Sequence, residues 1–292
     1  MMAIIEMQNL QRSFADNQVL IDLDFSIQPG TITGLLGVNG SGKTTLMHCA
    51  LGMLRPQSGT CQILGEESWA ASPAARRKIG FVPQSFDSFE WMTLKQILMY
   101  TSAFYETWDS TFTDHLVSRF ELPLNEPIVK MSLGMKQRVS IVLALGHNPE
   151  LIVLDEPVAA LDPKGRREFV QVILDLHMSE GKTILFSTHI TSDIERVAAE
   201  VALLQAGKIA LHTNLDDLKQ RYTRYHLHGQ KDLTDVVEQI PNKVTSEVIG
   251  ASAKVTVESP HIDSPARIGP IDDVEIVKEA LNLEEIFLEL SA

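Results

Sequence analysis

"GLLGVNGSGKTTLMHCALGML", residues 34–54, sets five glycines and a lysine at the approach to a helical pattern. Glycine is a poor helix former, so that much of it calls for another purpose. Within the stretch, "GVNGSGKT", residues 37–44, fits G-x-x-x-x-G-K-[ST] at every specified position. It sits between an apolar strand-like run, "TITGLLG", and apolar residues at helical spacing, as a phosphate loop requires. Gly37, Gly40 and Gly42 are expected to allow torsions that turn successive N–H groups inward. The following helix N-terminus adds its dipole, and the whole loop, Gly37 through Val38, Asn39, Gly40, Ser41 and Gly42, becomes an anion cradle. Lys43 brings a point charge for the β- and γ-phosphates, Thr44 a hydroxyl for the Mg²⁺ that bridges them, and Thr45 a further phosphate contact.

The rest of the chain has to supply the chemistry. At "LIVLDEP", residues 151–157, four apolar residues predict a buried strand, and Asp155 stands at its carboxyl end, where an open α/β sheet gathers its ligands. An Asp there can hold Mg²⁺. The next residue, Glu156, turns toward the same crevice as the expected general base for the attacking water. His189 ends another apolar run, "TILFSTH", expected to lie parallel to the first, so its imidazole can reach the same place.

Around these motifs the texture is that of an α/β protein. Short apolar runs and alternations near the N-terminus, broken at Asp16-Asn17 and Pro29-Gly30, predict strands joined by turns. The first helix is expected to run from the glycine loop to Arg55-Pro56. "MTLKQILMYTSAFYETWDSTFTDHLVSRFEL" has helical periodicity and scattered aromatics, read as packing residues of an inserted helical lobe. From Ser132 to Leu211 helices alternate with strands: "MKQRVSIVLALGH" as helix, then strand, helix, strand, helix, and "VALLQAGKIA" as a last strand. Beyond about residue 215, "RYHLHG", "SEVIGA" and "AKVTVESP" read as short strands, and Pro260, Pro265 and Pro270 punctuate a loop. "VEIVKEALNLEEIFLELSA" reads as an acidic amphipathic ending.

Composition narrows the class. The net charge of −13, from 38 acidic and 25 basic residues, argues against a general nucleic-acid binder. Cys49 and Cys61, the two cysteines, are in no metal-like spacing and are expected in the core of a reduced, intracellular protein. The N-terminus carries Glu6 and no basic region before an apolar stretch, so no secretory leader is expected. No run of about 18 uncharged apolar residues occurs, so no membrane crossing is expected.

The ordered motifs, over about residues 3 to 212, resemble those of the ATP-binding subunits of ABC transporters. "FVPQ", ending at Gln84, is similar to the family's Q-loop, which implies that Gln84 contacts Mg²⁺ near the γ-phosphate. "MSLGMKQR", residues 131–138, is similar to the signature segment, "AALD" ending at Asp162 to the D-loop, and "STH" ending at His189 to the switch histidine. Phe14 stands where the family stacks an aromatic on adenine. The resemblance implies that Ser132 and Gly134 close over the ATP of the opposite subunit, with Asp162 at the dimer contact. It also implies a P-loop NTPase (RecA-like) parallel-sheet core in an ATPase domain over 1–215. That domain would carry an N-terminal antiparallel β subdomain and an inserted α-helical subdomain over about 85–134. A small C-terminal α+β accessory domain over 216–292 would follow, for which regulation, dimer support and a structural cap are all open.

The signature departs from L-S-G-G-Q: Met131-Ser132-Leu133-Gly134-Met135 keeps the serine and one glycine. That pattern resembles ATPases of ABC-2 type exporters. The expected function is thus an ATP-hydrolysing motor, with Mg²⁺, at the cytoplasmic face of the membrane. It would work with a separately encoded transmembrane permease and a second ATPase subunit, identical or different, and without nucleic acid. An importer ATPase, or a soluble ABC-type ATPase acting on ribosomes or DNA, are the alternatives.

Overall fold

A computed structural model describes residues 2–15, 17–259, 268–269 and 271–291. Asp16, Pro260, Pro265 and Pro270, taken above as turn and loop punctuation, lie outside the described residues. The chain divides into two compact units, Met1–His212 and Thr213–Ala292.

The first unit opens with β1 (Ile5–Phe14) and β2 (Asn17–Ile27), followed by β3 (Ile32–Leu36) and α1 (Lys43–Ala50). Then come β4 (Ser58–Ile63), β5 (Glu66–Glu67), α2 (Pro73–Arg76) and β6 (Ile79–Val82). Helices α3 (Leu94–Ser102), α4 (Ser110–Arg119) and α5 (Leu133–Leu145) precede β7 (Leu151–Leu154). Helix α6 (Pro163–Glu180), β8 (Thr183–Thr188), α7 (Thr191–Val197), β9 (Glu200–Gln205) and β10 (Lys208–Asn214) follow.

One sheet runs β2-β1-β4-β5, with β1 antiparallel to both β2 (Ile5↔Ile27) and β4 (Ile5↔Ile63). The other runs β10-β9-β3-β8-β7-β6, and its five strands from β9 to β6 are parallel. Every residue of β3 (ITGLL), β7 (LIVL) and β8 (TILFST) is buried. That explains why these strands read as continuous runs rather than alternations: a parallel sheet is covered on both faces. The carboxyl ends of β3, β7 and β8, neighbours in the order β3-β8-β7, therefore sit side by side.

Several readings need correction. Helix α1 stops at Ala50, short of Arg55-Pro56, because Gly52 takes φ 65° and lets the Met53 N–H return to the His48 carbonyl at 2.9 Å, a left-handed helix end. "VALLQAGKIA" is two strands, β9 and β10, reversed at Ala206-Gly207, both with positive φ (48° and 76°), the backbone that a two-residue hairpin turn needs. In the helical stretch 92–122, Phe120 is core and Tyr105 stacks on His147 at 4.1 Å, but Tyr100 and Phe104 are exposed and join Phe89 and Trp91 in a surface ladder of rings 5.1–5.8 Å apart. Packing accounts for Phe120, for Tyr105 and for Trp108, which lies against Gly146 with its ring 6.0 Å from that of Tyr105, but not for Tyr100 and Phe104.

Helix starts follow local chemistry. Thr93 and Gln96 form a capping box at α3, Asp109 caps α4, Ser132 caps α5, and Asp162 with Pro163 opens α6, which closes on left-handed Gly181. Capping by Ser132 starts α5 two residues before Met135, so Leu133 and Gly134 are helical.

The second unit holds α8 (Leu215–Arg221), β11 (Tyr222–His228), α9 (Thr234–Glu238), β12 (Lys243–Ile249), β13 (Ser252–Glu258), β14 (Glu275–Ala280) and α10 (Leu283–Ser291). Its sheet, β12-β13-β11-β14, is antiparallel throughout. The ending read as one amphipathic segment is half strand: "EIVKEA" pairs with β11 from His228↔Glu275 to Thr223↔Ala280, and only the remainder is helix. Buried Arg224 on β11 bonds Glu285 (2.7 Å) and Glu289 (2.8 Å) of α10 and Glu279 (3.3 Å) of β14.

Candidate nucleotide site

The loop between β3 and α1 is shaped by its glycines for two different reasons. Gly40 and Gly42 take φ 80° and 106°, a region that L side chains rarely adopt. Gly37 does not, contrary to the expectation of a permissive torsion; it is glycine for lack of space. A Cβ there would come 2.4 Å from Ser41 Oγ and 2.8 Å from the Leu204 carbonyl. The resulting hollow has Lys43 at its base, 6% exposed, its Nζ donating to the carbonyls of Gly37 (2.7 Å) and Val38 (3.3 Å) and lying 3.4 Å from Glu156 Oε1. Ser41 Oγ is buried beside it without a protein partner.

Across the sheet the acidic pair is tightly held. Thr44 Oγ1 donates to Asp155 Oδ2 at 2.7 Å, and Ser187 Oγ donates to Asp155 Oδ1 at 2.6 Å. The Glu156 N–H donates to the same Ser187 hydroxyl at 2.9 Å. Glu156 has φ 48°, an uncommon backbone for a residue with a side chain. Its carboxylate reaches His189, whose Nδ1 lies 2.7 Å from Oε2. Asp155 and Glu156 are both buried, and the two oxygens of Glu156 are thus divided between a cation and an imidazole.

One cleft of about 360 Å³ is lined by Phe14, Asn39, Gly40, Gly42, Lys43, Thr44, Thr45, Gln84, Glu156 and His189, together with Val19 and Ala159. Asp155 joins it through its bond to Thr44. Phe14, at the end of β1, is 46% exposed, with the Arg12 guanidinium 4.8 Å from the ring centroid. Gln84 lies two residues beyond β6.

Ser132, Gly134 and Asp162 are not in this lining; they form a second constellation. Ser132 Oγ accepts from the Met135 N–H (3.2 Å), and a Cβ on Gly134 would come 2.9 Å from the Ala160 carbonyl. Asp162 Oδ1 accepts from the Gly165 N–H (2.9 Å) and from Arg138 Nη2 (2.7 Å) of α5. Leu133, which replaces a glycine of the usual signature, is 71% exposed at the same helix end.

Sequence reasoning passed over Ser187, Val19, Ala159 and Arg138. For Ser187 a signal existed: a hydroxyl inside a strand with no exposed residue must have partners, and those nearest are the residues at the end of the adjoining strand.

Phosphate loop, parallel sheet and acidic strand end together define a P-loop nucleoside triphosphatase. Comparison with known proteins narrows the class. The family model for ABC transporters matches residues 20–159. The chain is 28% identical over 285 residues to the ABC transporter ATP-binding protein YtrB of Bacillus subtilis, covering 98% of this chain and 97% of that one. It is 32% identical over 215 residues to the Nod factor export ATP-binding protein I of Cupriavidus metallidurans, covering 71% and 70%. Among solved structures, the dimeric structure of MJ0796, a bacterial ABC transporter cassette, superposes with a TM-score of 0.66 at 25% identity, over 72% of this chain and 98% of that one. The chain belongs to the ATP-binding subunits of the ABC transporters, and is an ABC-type ATPase.

Proposed function

We propose that the chain is the motor subunit of an ABC exporter, binding and hydrolysing Mg·ATP in the cleft between the phosphate loop and Glu156, and driving a separately encoded transmembrane subunit from the cytoplasmic face of the membrane. The observation that carries the reading is the convergence of Lys43 and Thr44, at the N-terminus of α1, with Asp155, Glu156 and His189, just beyond the carboxyl ends of the adjacent parallel strands β7 and β8, at one cleft. Export is supported by the Met-Ser-Leu-Gly-Met signature and by a relative named for Nod factor export. Among the described residues no helix is long and apolar enough to cross a membrane, in keeping with a partner that does.

The residues present fit a magnesium ion. Thr44 and Asp155 already share a hydrogen bond between two hard oxygen donors, and Gln84 lines the same cleft with a third. Among the described residues no group of three or more His, Cys, Asp or Glu is close enough to hold a metal alone, as suits an ion shared with substrate phosphates. Bound there, Mg²⁺ neutralises charge on the β- and γ-phosphates.

Each residue then has a task. Backbone N–H groups of the loop and Lys43 hold the phosphates; the ammonium exchanges the Gly37 and Val38 carbonyls for phosphate oxygens. Phe14 offers its ring to the adenine. Glu156 takes the proton as the water oxygen attacks the γ-phosphorus and the bridging oxygen leaves with ADP. His189 holds Glu156 Oε2, so the carboxylate keeps one orientation. Ser132, Gly134 and Asp162 complete the cleft of a second ATPase subunit, a reading supported by the dimeric cassette among the structural neighbours.

Purification from native membranes tests the assignment. The expected result is recovery of the chain with a polytopic membrane protein encoded beside it, and phosphate release that requires Mg²⁺. Recovery with ribosomes or nucleoid would overturn it.

A further inference from the structure

The proposed hydrolysis needs Asp155 and Glu156, adjacent in sequence, to present two carboxylates to one cleft in different roles. Side chains of neighbouring residues at a strand end diverge, so something must turn the second residue back. The structure does so with a single hydroxyl. Ser187, on β8, is 0% exposed. Parallel pairing of Leu154 with Phe186 brings the next residues of the two strands, Asp155 and Ser187, alongside each other. The Ser187 proton goes to Asp155 Oδ1 (2.6 Å), and its lone pair receives the Glu156 N–H (2.9 Å).

Resting on the proposed function, we infer that Ser187 is a positioning residue for both carboxylates. Its donation to Oδ1 fixes the Asp155 rotamer with Oδ2 toward Thr44, the side on which the metal would bind. Its acceptance from the Glu156 N–H holds the backbone at φ 48°, and that turn carries the Glu156 carboxylate to His189 and Lys43. A buried hydroxyl that donates once and accepts once, to two residues of one reaction, does more than fill space: alanine would fill nearly the same volume yet leave a carboxylate oxygen and an amide N–H unpaired. Groups that orient a metal ligand in this way change metal affinity or activity by about 10- to 100-fold when removed.

The test is Ser187→Ala in the full chain, with Ser187→Thr as the variant that keeps the hydroxyl. Three quantities separate positioning from mere stability: affinity for trinitrophenyl-ATP in EDTA, affinity for Mn²⁺ in the presence of ADP read from the free-Mn²⁺ EPR signal, and kcat for ATP. For Ser187→Ala the expected result is metal-free nucleotide affinity within about twofold of wild type, Mn²⁺ affinity weakened about tenfold or more, and kcat reduced about 10- to 100-fold. Ser187→Thr should recover most of both losses. Mn²⁺ affinity and kcat within about twofold of wild type in Ser187→Ala would overturn the inference, as would loss of metal-free nucleotide binding in step with the melting temperature. Either of those results, with wild-type chain still hydrolysing Mg·ATP, leaves the motor assignment standing. Absence of turnover in wild type would instead remove the assignment on which the inference rests.

Discussion

Glu156→Gln isolates charge from shape at the centre of the proposed site. The substitution keeps the side-chain size and leaves an oxygen or NH₂ group for His189, but removes the negative charge and the basicity. In the native cleft Glu156 Oε1 is 3.4 Å from Lys43 Nζ, and both side chains are at most 8% exposed. At an effective dielectric of 20 that separation corresponds to about 5 kcal/mol of gross attraction, of which desolvation cancels a large part. The attraction competes with any phosphate for the same ammonium, so glutamine should leave ATP affinity equal to or tighter than wild type. Turnover should move the other way. A positioned general base contributes about 10²- to 10⁴-fold, or about 3–5 kcal/mol in the barrier. The signature of the variant is therefore opposite signs: kcat down by about two to four decades, nucleotide retained. Phosphate release measures the first; size-exclusion chromatography with ATP measures the second, as a persistent dimer peak. Turnover within about threefold of wild type, or ATP binding lost together with turnover, would refute the reasoning.

Lys43→Ala should act on binding instead. Loss of a buried, charge-assisted bond to phosphate weakens nucleotide affinity by about 10- to 100-fold, measurable by titration calorimetry, whereas unchanged affinity would contradict the cradle. The two thiols should be inert in the folded chain. Burial pushes Cys49 up to about 12 and Cys61 up to about 11, so at pH 8 neither is appreciably thiolate, and Ellman's reagent should report both only after denaturation. Acid should weaken the second unit. The bond from His226, with Arg224 nearby, holds Glu279 below its ordinary 4.5; for Glu289, burial acts upward but is outweighed by the bonds from Thr245 and Arg224, so it too lies below 4.5. Depressed carboxylates stabilise fully above 4.5 and lose that contribution as pH falls through their folded values. Proteolysis of the α10 segment should accelerate below about pH 4.5, and Arg224→Ala should bring the same sensitivity to neutral pH.

How much of this was legible in the sequence depended on whether the determining contacts were local. The phosphate loop was readable because its glycines, lysine and threonine act within eight consecutive residues, although for Gly37 the reason was space rather than torsion. Asp155, Glu156 and His189 were readable because a continuous apolar run marks where a buried strand ends. Ser187 was readable only in part: a hydroxyl in a buried strand calls for partners, but which partners it finds depends on the register between β7 and β8, which no local pattern encodes. The same holds for "EIVKEA": its mixture of acidic and apolar residues fits a helix as well as an edge strand, and pairing with β11 decides. At Ala206-Gly207 a single glycine beside an alanine gave too weak a turn signal to divide one apolar run into two strands.

The departures at the signature acquire a physical sense from where they lie. Residues 159–162 join the two constellations of the chain: Ala159 lines the nucleotide cleft, the Ala160 carbonyl closes on Gly134, and Asp162 caps α6 while receiving Arg138 from α5. Gly134 is retained because a Cβ would strike that carbonyl at 2.9 Å, whereas position 133 faces outward and tolerates leucine. The same four residues begin two residues after the acidic pair and end at the cap of α6. Glu156 is therefore joined to the Ser132 helix through the six consecutive peptide units to Asp162 and one ion pair, Asp162 to Arg138. On the proposed reading this one short segment links the residues of the nucleotide cleft to those that would close over the cleft of a second subunit.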